Sequence, residues 1–459
     1  MAFRVHFESY ILENKKSNVV KKALDSEIIF YLLLFLAVSS CFFYAYSVDK
    51  HLSADGVHYF TELLERKNFF DFAWPREFAT DLTTWPLVIA INLGIQDISL
   101  LKYIFAAGLY FPYLLAFIIS IYAVRQQLSL LLFPLLSIVM ISFTADYMLV
   151  GEFHVMAILA WPILFLLLKK GTFNGLEIAL LWGLLVIFSR LYETALIIAI
   201  IYIAILSVRF YVFPSKKQRI IHSITLLLCS LTVLIAIDSI LHPRDPANKT
   251  YFLNGMIAML DTKELWLNLS FIFLFTLGLW LRHKIILVLS FIPSVIYFSI
   301  AIFADHGNMA TLSYAARTLS VMLLPLLLGS AIFIYYFDIP RTKLSIFAAS
   351  AFILVMVVSN IRFTITDWED FRQQFIHTLN TQQGYIPMND TSFHNSPYRW
   401  GWNNPLLSLV WSGSCVNSIV LNPSGEHWTP LNPKERLILK EYIRYHSFFK
   451  KVDSTVHTC

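Results

Sequence analysis

Charge is scarce in this chain. Asp, Glu, Lys and Arg make up 14% of 459 residues, where a soluble domain carries about 25%. Apolar residues reach 57%, and the mean hydropathy is +0.64. So little charge cannot cover a water-facing surface. An ordinary soluble globular protein is excluded, and lipid is expected to cover most of the exterior. Cysteine is scarce too: four residues exclude a disulfide-stapled scaffold. Cys41 and Cys229 sit in apolar runs and read as inert packing residues. Cys415 and Cys459 fall in the polar C-terminal region, where an oxidising compartment would let them pair, although no spacing fixes that bond.

Several signatures are also missing. Walker, dinucleotide-binding, zinc-finger, His-Glu-x-x-His and Gly-x-Ser-x-Gly patterns are absent, so nucleotide and soluble-cofactor chemistry has no support. No cofactor is expected; a divalent metal is compatible but not implied. The net charge of +5 comes from short basic clusters between apolar segments, as the positive-inside rule anticipates. There is no arginine-rich tract, and nucleic acid is not an expected partner. No internal repeat or low-complexity segment is visible.

What is present is a series of long apolar runs. Spans are expected near 28–46, 100–123, 128–145, 155–168, 175–189, 194–212, 220–241, 264–281, 285–303, 318–337 and 344–360. The first is too long for a signal-peptide core and is followed by no clear cleavage site, so it reads as a retained helix. The N-terminal tail, Arg125, Lys169–Lys170, Arg209 with Lys216, Lys217 and Arg219, Arg282 with Lys284, and Arg341 with Lys343 then fall on one side, the expected cytoplasm. The expected fold class is an all-α polytopic membrane protein of about eleven transmembrane helices. It comprises a cytoplasmic tail at 1–27, a transmembrane module at 28–360 and a small extracytoplasmic C-terminal domain at 361–459. Residues 49–99 form a long first external loop. Its amphipathic stretches Tyr59–Arg66 and Trp85–Ile95 are expected to lie along the interface.

Sorted by side, the chemically versatile residues collect outside. Asp55 stands in Ser53-Ala54-Asp55-Gly56, where Gly56 permits a tight turn. It is either a general base at the membrane surface or the N-cap of the helix that follows. Arg76, beside Glu77, suits a lipid phosphate or snorkels to the interface. Glu152 and His154 flank Phe153 at a short external turn, as a hydrogen-bonded loop pair or as metal or proton ligands. In Ser189-Arg190-Leu191-Tyr192-Glu193, Arg190 and Glu193 pair with each other or meet substrate. Arg244 and Arg317 add external positive charge, for phosphate or for headgroups. In Tyr398–Leu406, the aromatics Trp400 and Trp402 beside Asn403 suit a sugar ring, or else form the core of a small domain.

This arrangement resembles the GT-C glycosyltransferases. The architecture matches along the whole chain. The residue-level match lies in Ala54-Asp55-Gly56, Trp74-Pro75-Arg76-Glu77-Phe78-Ala79, Glu152-x-His154, Ser189-Arg190-x-Tyr192-Glu193 and Tyr398–Leu406. These segments look most like the bacterial branch that includes arabinofuranosyltransferases of type IV pilin glycosylation. Many members carry two adjacent acidic residues in the first loop. Here Ala54 and Gly56 flank Asp55, so a single general base is the expectation.

The resemblance implies a polyprenyl-phosphate sugar donor, a protein or glycan acceptor such as pilin, and a multi-pass location in the bacterial inner membrane with the site facing the periplasm. It implies Asp55 as base and places Arg76, Glu77, Glu152, His154, Arg190, Tyr192, Glu193, Arg244 and Arg317 around the donor phosphate and substrate. Trp400, Trp402 and Asn403 would meet the acceptor or sugar. The rival readings are a lipid-linked sugar flippase or transporter and an O-antigen-type ligase.

Overall fold

In the computed structural model, the apolar runs become helices whose ends are fixed by short polar signals. The structure describes residues 17–69, 76–143, 151–212, 215–242, 263–281, 309–336, 342–382, 384–396, 403–412 and 418–421, with isolated residues 286 and 398. The first helix, α1 (Ser17–Ser47), leads through a short 3₁₀ turn (Lys50–Leu52) to α2 (Asp55–Arg66). There follow α3 (Glu77–Asn92), α4 (Ile98–Val124), α5 (Leu132–Ser137), α6 (Glu152–Leu168), α7 (Gly175–Phe188), α8 (Ala195–Val212) and α9 (Lys216–Leu241). Next come α10 (Lys263–Trp280), α11 (Met309–Tyr336) and α12 (Lys343–Asn360).

Asp97 starts α4 by accepting from the amides of Ser99 and Leu100. Asn174 and Glu177 form a reciprocal capping box on α7. Ser215 and Thr342 cap α9 and α12. Positive φ at Gly94 and Gly171 turns the chain between helices.

Ten of the eleven apolar segments coincide with described helical structure; the one at 285–303 lies outside the described residues except for residue 286. Ser26–Ser47, Ile98–Val124, Lys216–Leu241 and Lys343–Asn360 are long and apolar enough to cross a membrane. Shorter apolar helices accompany them. Along α9, Ile220, Ile224, Leu227, Leu231 and Leu234 are all exposed. Their steps of four and three residues draw one apolar stripe down the outside of the helix. Such a stripe is untenable in water and natural in lipid. The chain is a helical membrane protein.

Two packing features position the site. First, α3 lies tight against α4: a Cβ built on Gly108 would stand 2.1 Å from the carbonyl oxygen of Thr83. Only glycine allows this approach. Second, α12 does not stop at Asn360. It runs through a π turn (Ile361–Ile365) into α13 (Thr366–Thr381). A parallel pair, β1 (Gly384–Pro387) with β2 (Ser418–Leu421), and the helix α14 (Asn404–Trp411) follow.

This C-terminal segment grips the chain just after α1. The indole of Trp368 donates to the carbonyl of Val48 at 2.9 Å. Arg372 and Lys102 both reach one carboxylate oxygen of Asp49, at 3.1 and 2.9 Å. The fully buried Lys50 points its ammonium at the ring of Tyr398, 5.6 Å from the centroid.

Of the two amphipathic stretches, α2 packs inward, while Trp85 and Ile89 on α3 stay exposed. Eight of the twelve residues of α2 are buried, Tyr59, Phe60 and Leu63 among them. Its apolar face is covered by protein instead of bilayer.

Candidate functional site

Three helices begin with a carboxylate at one end of the bundle: Asp55 on α2, Glu77 on α3 and Glu152 on α6. A helix N-terminus carries a partial positive charge and favours an acidic side chain there. The turn between α7 and α8 delivers Arg190, Tyr192 and Glu193 to the same place.

Asp55 is not the N-cap. That position belongs to Ala54, which makes no side-chain capping bond, and Asp55 is the first helical residue, half-buried. The turn is closed by the amide of Gly56 donating to the carbonyl of Ser53 at 2.9 Å. Nor does Gly56 supply the unusual backbone. Ala54 does, at φ 49° and ψ −121°, the first central position of a type II′ turn, which normally calls for glycine.

Tyr59 sits one helical turn beyond Asp55. Its hydroxyl donates to Glu152 Oε1 at 3.2 Å. Burial, then the neighbouring carboxylates of Glu152 and Asp55, push its pKa well above the ordinary phenol value, so it remains a neutral donor.

Arg76 is the hub. Its guanidinium donates to Glu193 Oε1 at 3.1 Å, approaches Glu152 at 3.9 Å and stacks over the Tyr192 ring at 4.7 Å. Burial opposes its charge, but Tyr192, Glu152 and Glu193 together outweigh that and hold its pKa above the ordinary value. Ser239 from α9 also donates to Glu193, at 3.1 Å. Arg190 forms an ion pair with Glu77 and lies over the Phe78 ring at 4.8 Å.

Two expectations are corrected by these contacts. Arg190 and Glu193 do not pair with each other, because they stand in a turn where three residues of separation do not bring side chains together. Each instead crosses to the adjacent Arg76–Glu77 pair at the start of α3. Likewise Arg76 turns inward to carboxylates and does not snorkel to a headgroup.

His154 is buried in the first turn of α6, its ring 4.0 Å from that of Phe153. Gly151 leaves room for it: a Cβ there would stand 2.5 Å from the imidazole. A crevice runs between Tyr59, Thr80, Thr83, Tyr113, Glu152 and His154, with a free volume of about 10 Å³, room for about one water. Among the described residues, no three His, Cys, Asp or Glu side chains converge to hold a metal.

Asn403 is buried rather than presented on a surface, and its amide Nδ2 donates to the carbonyl of Ala54. Trp400, Trp402, Arg244, Cys415 and Cys459 lie outside the described residues, and Arg317 falls within α11 with its side chain outside them. Cys41 and Cys229 are buried and free of disulfides, as their apolar settings suggest.

Sequence reasoning missed Tyr59, Ser239 and the structural use of Asn403. Only Tyr59 left a signal, four residues after Asp55 on a helical pattern. At the far end of α6, Arg209 donates to the carbonyls of Leu167, Lys169 and Gly171, at 2.9, 2.5 and 2.9 Å. The basic residues Lys169 and Arg209 therefore gather opposite the acidic cluster.

His51, just behind the site, gives a pH prediction. Its ring is fully enclosed, near Tyr46 at 5.6 Å and Phe105 at 6.0 Å. Burial pushes its pKa down to about 4, with Asp49 acting in the opposite sense and Lys102 adding to the drop. The unfolded chain, with a histidine pKa of about 6.5, therefore takes up the proton first. The stabilisation is intact above about pH 6.5 and is lost progressively towards pH 4, about 2 kcal/mol of it by pH 5. Thermal unfolding between about pH 7 and pH 5 should show this slope in the natural chain and a flatter one in His51→Phe. Equal slopes would assign the titration elsewhere.

No family model, curated protein or solved structure matches this chain.

Proposed function

We propose that this chain is an inverting glycosyltransferase with a GT-C-like fold of about eleven spans. It moves a sugar from a polyprenyl-phosphate donor to an acceptor hydroxyl at the periplasmic face of the bacterial inner membrane. The observation that carries this reading is the convergence of Asp55, Tyr59, Arg76, Glu77, Glu152, Arg190 and Glu193 from four separate segments at one end of a lipid-facing helical bundle. An amphipathic donor needs such a place, with its chain in the bilayer and its phosphate at the polar edge.

Asp55 takes the proton of the acceptor hydroxyl as its oxygen attacks the anomeric carbon. The bond from that carbon to the phosphate oxygen breaks, and polyprenyl phosphate departs with the electron pair. One displacement inverts the centre. Arg76 and Arg190 meet the developing phosphate charge. Three carboxylates (Glu77, Glu152, Glu193) already pair with these two guanidiniums. The donor phosphate must therefore take a guanidinium from its glutamate or recruit Arg244 or Arg317. The narrow crevice must also widen to admit a sugar. The charged groups stand at helix ends and not in broken mid-span helices, which favours an enzyme over a flippase or transporter.

The test is transfer by the purified full chain from a panel of synthetic polyprenyl-phosphate sugars, with arabinofuranose among them. The expected result is an inverted product and released polyprenyl phosphate. Lipid binding without transfer from any donor would move the reading to a flippase or a diphosphate-dependent O-antigen-type ligase.

A further inference from the structure

We infer that Asn403 is a positioning residue for Asp55, acting through the backbone of Ala54 from the far end of the chain. The inference rests on the proposed role of Asp55 as base. Asn403 stands at the start of α14 and is 1% exposed. Its side-chain amide donates to the carbonyl oxygen of Ala54, across 349 residues of sequence. An amide oxygen turned towards that carbonyl would be repelled, so the carbonyl itself selects the Nδ2 face.

The peptide it holds is the one that sets the direction of Asp55. Ala54 has φ 49° and ψ −121°, a conformation that L side chains rarely adopt and that persists only when its surroundings enforce it. The Ser53–Gly56 hydrogen bond closes the turn from one side. The Asn403 amide holds the Ala54 carbonyl from the other. Released from that bond, Ala54 gains by rotating into an ordinary region, and the rotation turns the first residue of α2 with it.

The neighbouring grips point the same way. Trp368 on Val48, Arg372 on Asp49 and Lys50 towards Tyr398 tie the C-terminal segment to successive residues leading into this turn. Asn403 is the grip closest to the aspartate. The C-terminal segment thus sets the aim of the base.

The experiment compares four full-length chains: natural, Asp55→Asn, Asn403→Leu, and Asn403→Leu with Ala54→Gly. Both transfer kinetics and thermal unfolding are measured. Glycine adopts a positive φ without the Cβ penalty, so it should hold the turn without help. Asn403→Leu is expected to lower kcat between about 10- and 100-fold, the range a small misplacement of a reacting group produces, with the donor KM little changed. Adding Ala54→Gly should restore most of kcat and recover at least about 2 °C of the lost Tm.

An unchanged kcat in Asn403→Leu overturns the inference. So does a loss that Ala54→Gly does not restore, which would make Asn403 a plain packing residue. Failure of the underlying reading looks different: the natural chain transfers nothing, or Asp55→Asn transfers normally. Either of those removes the base role and this positioning role with it, while the Tm recovery still reports whether Asn403 holds the Ala54 turn.

Discussion

Asparagine at position 55 is expected to lower sugar transfer by about 10²- to 10⁴-fold, the contribution of a positioned general base, while leaving a folded protein. The structure explains why the two effects separate. Asp55 is not the N-cap residue; that position is Ala54, which makes no side-chain capping bond. The substitution therefore forfeits no N-cap bond. It removes a negative charge from a helix N-terminus, worth about 0.3–1 kcal/mol, and asparagine is close to aspartate in shape. The turn through Ala54 and the Asn403 bond to it both involve main chain and persist. The Tm in detergent should accordingly move by no more than a few degrees while the turnover collapses. Normal transfer by this variant would return Asp55 to a structural role. A collapse of both activity and Tm would show that the carboxylate is part of the scaffold.

The parts of this architecture legible in the sequence are those governed by local composition. An apolar run of sufficient length can bury its backbone only as a helix, so the segments at 28–46, 100–123 and 220–241 translate directly into α1, α4 and α9. What was not legible depends on contacts between distant segments. Read along the chain, Arg190 and Glu193 look like partners, because sequence proximity is the only cue available. In the fold, Arg76 reaches Glu193 across 117 residues and Arg190 reaches Glu77 across 113.

The turn before Asp55 is illegible for a related reason. Ser53-Ala54-Asp55-Gly56 invites the glycine to bend, and local propensity supports that. Tertiary grips instead force the bend onto Ala54 and leave Gly56 buried inside α2. Continuation of α12 through a π turn into α13 gives no compositional sign either, since Ile361–Ile365 reads as an ordinary span end. Departures from local rule of this kind concentrate around the candidate site, where strain is expected to be retained.

Removing the guanidinium of Arg76 should have the largest effect on stability in this region, a loss of about 3–5 kcal/mol, the cost of breaking a largely buried ion pair from one side. Its side chain is 17% exposed, and those of Glu152 and Glu193 are 13% and 20% exposed. In Arg76→Ala these two carboxylates face each other and the π face of Tyr192 with no intervening cation. Arg76→Lys keeps the charge but cannot reach Glu193, Glu152 and the ring together, so an intermediate loss is expected. Arg76→Ala combined with Glu193→Gln should recover more than half of the Tm lost in the single variant, because the penalty lies in the stranded charge and not in the missing contact. That double variant also isolates function. It is expected to fold but lacks one of the two guanidiniums proposed to meet the phosphate, so polyprenyl-phosphate sugar should bind it at least about tenfold more weakly than the natural chain. Recovered stability with undiminished donor affinity would confine Arg76 to holding α3, α6 and the 189–193 turn together, and would pass the phosphate to Arg190 or to the positive residues at 244 and 317.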